Sequence, residues 1–182
     1  MFKDNLLFKE IHETVAHDVV HAFRPGLQIH NGIVIAVFGI SGTGKSEVAW
    51  WIARKLYGKN ISSHVIALDR FYKIPVHDRE HHRRQTNIIG HEEMDFDRIN
   101  KEIDKFYSLD KINVLILEGL YAGYVSRSNM RVYLAATIDS TYEFRKLRGK
   151  ENPDSKWRQY VLQRECESVV KSRKAEDEVY DV

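Results

Sequence analysis

A glycine-rich bend at residues 39–46, GISGTGKS, contains the residue types that bind phosphate. It matches the pattern G-x-x-x-x-G-K-[ST] at every fixed position, and it lies between an apolar run and a segment with helical periodicity. Gly42 and Gly44 permit backbone conformations in which successive N–H groups point into one concavity. In this pattern the lysine, Lys45, reaches the β- and γ-phosphates of a nucleotide, and the hydroxyl of Ser46 ligates Mg²⁺. The sequence therefore predicts a nucleoside triphosphate site.

Acidic residues stand at the ends of three further apolar runs, and they are Asp69, Glu118 and Asp139. In an open parallel sheet, ligands lie beyond the carboxyl ends of the strands. Phosphoryl transfer to an alcohol needs one carboxylate to orient the hydroxyl and take its proton, and another in the metal shell. We expect Asp69 in the first role and Glu118 in the second, although each could instead be a helix cap or a solvated strand end. Asp139 is expected to cap the helix that follows it.

Hydrophobic periodicity predicts the elements that position these residues. Apolar, β-branched runs indicate strands at 32–39, 64–68, 113–119, 131–139 and 179–182. Helical spacing indicates helices at 5–23, 45–57, 96–106, 141–147 and 156–174, whereas residues 72–93 are polar without a clear period. Buried strands that alternate with helices favour the α/β class. We expect a P-loop NTPase three-layer sandwich with a parallel sheet of about five strands, helices on both faces and an extra N-terminal helix.

Length and composition are typical of one ordinary domain over residues 1–182. A net charge of +2 gives no electrostatic footprint for nucleic acid. The single cysteine, Cys166, excludes an internal disulfide framework and favours a reducing compartment. No apolar run approaches the roughly 18 residues of a membrane span, and the charged first residues do not form a secretory signal. We therefore expect a cytoplasmic protein without nucleic-acid or membrane partners. Its N-terminal helix could cover a sheet edge or pair with a second subunit in a homo-oligomer.

Several segments resemble the uridine kinase and phosphoribulokinase family. ALDRFYK (67–73) is similar to the D-x-F-Y-K segment of that family. The segments that follow the family's order are GISGTGKS, HEEMDFDRI (91–99), VLILEGLYA (114–122) and the Gln159-Tyr160 pair. The resemblance runs from about Ile33 to the end of the chain. It implies a kinase that uses ATP or GTP with Mg²⁺ and phosphorylates a small molecule.

The resemblance also implies roles for individual residues. Asp69 would be the catalytic base, and Ser46, Asp69 and Glu118 would surround the metal. An arginine-bearing lid, here about 145–157, would bring Arg148 over the phosphates as a catalytic cation together with Lys45. The expected nucleotide contacts are Gly39, Ser41, Gly42, Thr43, Gly44, Lys45, Ser46 and Arg145. The expected acceptor contacts are Asp69, Tyr72, Arg84, His91 and Gln159. Arg145 and Arg148 could instead lie on a solvated helix face.

One segment departs from the family pattern and leaves the acceptor open. The family's nucleoside kinases have N-x-D-H-P-D-A-F, in which the first aspartate holds the ribose hydroxyls, whereas this chain has NIIGHEEMDFD (87–97). Glu92, Glu93 or Asp95 could substitute for that aspartate. A nucleoside is the expected acceptor, and nicotinamide riboside, a sugar or a vitamin-like alcohol are the alternatives. A nucleotide-driven switch is disfavoured because the D-x-x-G and N/T-K-x-D motifs are absent, and a degenerate kinase because Lys45, Ser46 and Asp69 are intact.

Overall fold

A computed structural model describes residues 6–22, 32–109, 112–149, 152 and 154–182. The strands are β1 (Ile33–Gly39), β2 (Ser63–Ala67), β3 (Val114–Glu118), β4 (Met130–Ala135) and β5 (Glu178–Asp181). The helices are α1 (Glu10–Ala22), α2 (Lys45–Tyr57), α3 (Val76–Thr86), α4 (Phe96–Tyr107), α5 (Tyr142–Arg148) and α6 (Lys156–Lys171). Short 3₁₀ turns cover Leu68–Phe71, His91–Glu93 and Ala122–Tyr124.

The five strands form one parallel sheet in the order β2-β3-β1-β4-β5. The central strand β1 pairs with β3, where Val37 lies opposite Glu118, and with β4. Ala67 at the end of β2 also lies opposite Glu118. The register therefore brings the start of the glycine-rich bend, Glu118 and the turn that contains Asp69 to the same edge of the sheet.

Helices cover both faces of the sheet, and the predicted sandwich is confirmed. Ile33, Ile35 and Val37 of β1 pack in one apolar cluster with residues of α1 and α2. Val34, Ala36 and Phe38 alternate with them and pack in a second cluster with residues of α4 and α6. Because both faces are covered, the whole of β1 is buried, as its unbroken apolar sequence predicts.

The fourth strand is shorter than predicted. It ends at Ala135 rather than at Asp139, because the chain turns at Thr137, whose backbone oxygen accepts a hydrogen bond from the Ser140 hydroxyl at 3.1 Å. The prediction that Asp139 caps the next helix is also wrong, since α5 has Thr141 at its N-cap position.

The helix α3 was not predicted as a regular element. Its residues show no apolar stripe because Arg83 is its one buried residue. The N-terminal helix was predicted at 5–23, and the structure shows α1 within that range. Residues 5 and 23 themselves lie outside the described residues, as do 150, 151 and 153 of the predicted lid. Across the part of the chain that the structure describes, no helix is both long and apolar enough to cross a membrane.

Candidate active site

The bend at residues 39–46 forms a phosphate-binding loop between β1 and α2. Gly42 and Gly44 have φ angles of +90° and +78°, which side chains rarely adopt, so the predicted need for glycine is met at both positions. The loop is braced by Thr43, whose hydroxyl donates to the Ile40 carbonyl at 3.0 Å. Lys45 donates from Nζ to the same carbonyl at 2.7 Å. The ammonium group of Lys45 therefore already lies over the loop, where a nucleotide phosphate would receive it.

Two carboxylates act electrostatically on this loop. Glu118 is 6% exposed, and burial together with the negative charge of Asp69 raises its pKa to about 7, although Lys45 and a hydrogen bond with Ser46 oppose the shift. Burial also lowers the pKa of Lys45, an effect that Glu118 and Asp69 oppose. Asp69 itself is exposed, in the turn that follows β2. The loop lysine, the loop serine and both carboxylates thus interact as one group of charges and donors.

This group has the donor atoms that Mg²⁺ prefers. Mg²⁺ is held by one or two carboxylates, hydroxyl groups and the phosphates of a substrate. Ser46 and Glu118 supply a hydroxyl and a buried carboxylate that a nearby cation would favour in the ionised form. Among the described residues, no group of three or more His, Cys, Asp or Glu side chains could hold a metal ion by itself. The set is consistent with a metal that is bound jointly by the protein and a nucleotide.

The two arginines of α5 both lie beside the loop. Arg145 is buried, donates to the Ile138 carbonyl at 2.9 Å and packs against Gly42, where a Cβ would come within 2.9 Å of its Cγ. Arg148 forms an ion pair of 2.5 Å with Glu47, the residue that follows Ser46. The positive charge of Arg148 contributes to the lowered pKa of Lys45, so this guanidinium is close to the phosphate loop.

Tyr72 ends the short turn that contains Asp69. Its ring is 9% exposed, and burial and the charges of Glu165 and Asp69 raise its pKa well above the usual value. The guanidinium of Arg79 covers the ring at 3.5 Å from its centroid, and Tyr121 meets it edge-on at 6.3 Å. Tyr72 and Arg79 therefore form a polar-aromatic wall adjoining the candidate base, and sequence reasoning did not single out Arg79.

A buried ion cluster supports this wall. Arg83 makes two hydrogen bonds of 2.7 Å with the carboxylate of Glu93 and one of 3.0 Å with Glu165. Arg158 shares Glu165 at 3.2 Å. Burial alone would lower the pKa of Arg83, but the hydrogen bonds with Glu93 and the charge of Glu165 raise it. These contacts join α3 to α6 near Tyr72.

Arg84, His91 and Gln159 are the other residues that were predicted to contact the acceptor. Arg84 is half exposed, pairs with Glu80 at 2.7 Å and lies over Trp157. His91 stacks on Tyr124 with ring centroids 3.9 Å apart. Gln159 is exposed on α6. None of these contacts tests an acceptor role, so the three assignments stay predictions.

The structure separates the three candidates for a ribose-binding carboxylate. Glu93 is occupied by Arg83, and Asp95 caps α4 by accepting the Arg98 amide at 3.1 Å. Glu92 is 61% exposed, and its carboxylate lies 3.4 Å from Nδ1 of the neighbouring His91.

The parallel sheet, the loop and the carboxylates at its edge define a P-loop nucleotide-binding fold. No protein-family model matches the chain, and no curated protein matches its sequence. A proposed fructose transport system kinase from Silicibacter sp. TM1040 has a similar structure, with a TM-score of 0.67 and 14% identity over 93% of this chain and 98% of that one. A possible uridine kinase from Bacillus stearothermophilus has a TM-score of 0.55 and 16% identity over 94% of this chain and 98% of that one. These similarities show a fold of the uridine kinase and phosphoribulokinase type, as the motifs predicted.

Proposed function

We propose that this protein is a kinase that transfers the γ-phosphate of ATP or GTP to a hydroxyl group of a small metabolite. The loop amides and Lys45 hold the triphosphate, and Asp69 orients the acceptor hydroxyl and takes its proton. The hydroxyl oxygen forms the new bond to the γ-phosphorus as the bond to the β,γ-bridging oxygen breaks, which releases the nucleoside diphosphate. Ser46, Asp69 and Glu118 would hold Mg²⁺, which neutralises phosphate charge when it is bound.

One observation carries this proposal. Glu118 lies opposite Ala67, two residues before Asp69, and opposite Val37, two residues before the loop, so the three segments meet at one edge of the sheet. The negative charge of Asp69 accordingly acts on the pKa of both Lys45 and Glu118. A carboxylate that interacts with both the loop lysine and a candidate metal carboxylate is suitably located to act on a hydroxyl next to the γ-phosphate. Arg148 and Arg145 supply further positive charge beside the loop, where charge develops during transfer.

We propose a nucleoside as the first acceptor class to test, because the segments around Tyr72 and Gln159 resemble those of uridine kinases. The occupied side chains of Glu93 and Asp95 leave Glu92 as the candidate to hold a ribose diol. Nicotinamide riboside, sugars and vitamin-like alcohols are the other acceptors to include.

The test measures ADP release from Mg²⁺ and ATP with each acceptor class in turn. We expect release that depends on one class and that falls by about 10²-fold or more in Asp69→Asn, the scale of a general base's contribution. Asp139→Asn is the matched control, because this exposed aspartate also follows a strand but is not expected to act in catalysis. Release without any acceptor would indicate a nucleotide-hydrolysing switch instead, and no release would indicate a protein that only binds nucleotide.

A further inference from the structure

The residues just before α1, together with its first turn, contact the phosphate-binding loop. His12 is 2% exposed, and its ring lies against Gly44, where a Cβ would come within 2.7 Å of the ring's Cδ2. The Nδ1 atom of His12 accepts a hydrogen bond from the Lys9 amide at 3.1 Å. Burial lowers the pKa of His12, and because Nδ1 accepts this hydrogen bond, the neutral ring carries its proton on Nε2. The N-terminal segment thus packs directly on the glycine that precedes Lys45.

The same N-terminal segment also contacts a buried carboxylate at the start of α2. Glu47 is fully buried, and its Oε1 atom accepts hydrogen bonds from the Leu7 amide at 3.0 Å and from Arg148 at 2.5 Å. An ionised carboxylate out of contact with water needs such donors. The Leu7 amide therefore orients the carboxylate of Glu47, and this carboxylate orients the guanidinium of Arg148.

An aromatic contact joins α5 to the same cluster. The ring of Phe144, on α5, meets the His12 ring edge-on at 5.9 Å. Lys9 and Arg148 lie over the same ring at 4.9 Å and 5.1 Å. The segment at residues 7–12 consequently bridges the helix that begins at the phosphate loop and the helix that carries Arg148.

We infer that residues 7–12 position Arg148 and the phosphate loop for the nucleotide, so that the N-terminal segment is a functional part of the nucleotide site. Arg148 donates from one nitrogen, Nη2, to Glu47, and its side chain stays 16% exposed. The guanidinium is thus oriented by Glu47 while donors remain for a phosphate. The inference rests on the proposed nucleotide site but not on the identity of the acceptor.

Two substitutions of Glu47 separate its role in positioning Arg148 from the effect of its negative charge. Glu47→Ala removes the acceptor for both the Leu7 amide and Arg148. Glu47→Gln keeps an acceptor oxygen, and its amide nitrogen can replace Oε2, which has no partner in the described residues. Leu7→Pro is a second test, because proline has no amide hydrogen for Glu47 to accept, and Leu7→Ala, which keeps that amide, controls for the loss of the leucine side chain. His17→Ala is the matched control, since this side chain is 67% exposed on the same helix.

The measurements are the Kd of ATP with Mg²⁺ by calorimetry and the KM values for ATP and for the acceptor. We expect Glu47→Ala to weaken ATP binding by about tenfold, the value of one hydrogen bond to a charged group. Leu7→Pro should weaken it in the same direction, Glu47→Gln should keep most of the affinity, and the KM for the acceptor should stay unchanged in all three variants. Binding in His17→Ala should equal that of the natural protein.

Three results would overturn the inference. Tighter ATP binding in both Glu47 variants would mean that Glu47 withholds Arg148 from the phosphates. Unchanged binding in Glu47→Ala and Leu7→Pro, while the natural protein binds ATP well, would mean that the segment only stabilises the fold. Failure of the natural protein to bind either ATP or GTP would refute the proposed nucleotide site itself, and this inference with it.

Discussion

Replacement of Glu118 by Gln should stabilise the metal-free protein at neutral pH but not at acidic pH. Burial and the charge of Asp69 raise the pKa of Glu118 from 4.5 to about 7 on folding. Below about pH 4.5 the carboxyl is protonated in both states, so burial carries no ionisation penalty. As the pH rises to about 7, the unfolded chain releases this proton first and the folded state loses stability. One pKa unit corresponds to about 1.4 kcal/mol, so the full penalty above pH 7 is about 3 kcal/mol.

Urea unfolding from pH 4.5 to 8 without divalent metal measures this effect as the difference between Glu118→Gln and the natural protein. The difference should be near zero at the acidic end and grow to about 3 kcal/mol in favour of the variant above pH 7. Groups that do not interact with Glu118, such as His12, titrate alike in both proteins and cancel in the difference. Glu80→Gln, which alters an exposed ion pair, should show a difference below about 1 kcal/mol throughout.

Stability curves for Glu118→Gln and the natural protein that stay parallel from pH 4.5 to 8 would refute the buried-acid reasoning. Addition of Mg²⁺ to the protein with ATP provides a second arm, because the metal would be bound jointly by the nucleotide and the ionised carboxylate. With ATP present, Mg²⁺ should raise the stability of the natural protein above pH 7 more than that of Glu118→Gln. Equal stabilisation of both proteins would remove Glu118 from the metal site.

Two further substitutions test the loop and the acceptor side. Gly44→Ala should lower the Tm and weaken ATP binding, because its φ of +78° is strained for alanine and the new Cβ would collide with His12. Gly149→Ala is the control: at a φ of +61°, with nothing within 4 Å, it should lose only the backbone strain energy of about 1 kcal/mol. A similar loss in both variants would refute the His12 contact. Arg83→Met should destabilise the protein by about 3–5 kcal/mol in urea unfolding, because it leaves Glu93 buried without its charge partner. A loss below about 1 kcal/mol would show that this ion pair is not buried in solution.

The fold and the phosphate loop could be predicted from the sequence because their signals are local. The loop motif is contiguous, and the buried strand before it is a continuous apolar run. The end of β4 was placed too late because apolar residues continue past the end of the strand to Ile138, which lies within the turn. The helix α3 was missed because its contribution to the core is Arg83, a residue type that periodicity does not count as apolar.

The contacts that complete the site could not be predicted because they join distant parts of the chain. Leu7 and Glu47 are 40 positions apart, and Arg148 reaches Glu47 across 101 positions. In the sequence, Glu47 resembles an ordinary acidic residue in the first turn of a helix, where its interaction with the helix dipole is favourable. Only its complete burial between two other segments reveals a structural and electrostatic role.

The central position of β1 has a consequence for how the protein is made. Its two neighbours are both synthesised later, since Ile33 pairs with Val114 and Gly39 with Leu134. A nascent chain therefore carries the glycine-rich bend long before it has the strands that give the bend its shape. Such long-range parallel pairings form slowly, and ligands stabilise only the state that binds them. ATP consequently cannot assist the early chain on the ribosome, and it begins to favour folding only after most of the polypeptide has emerged.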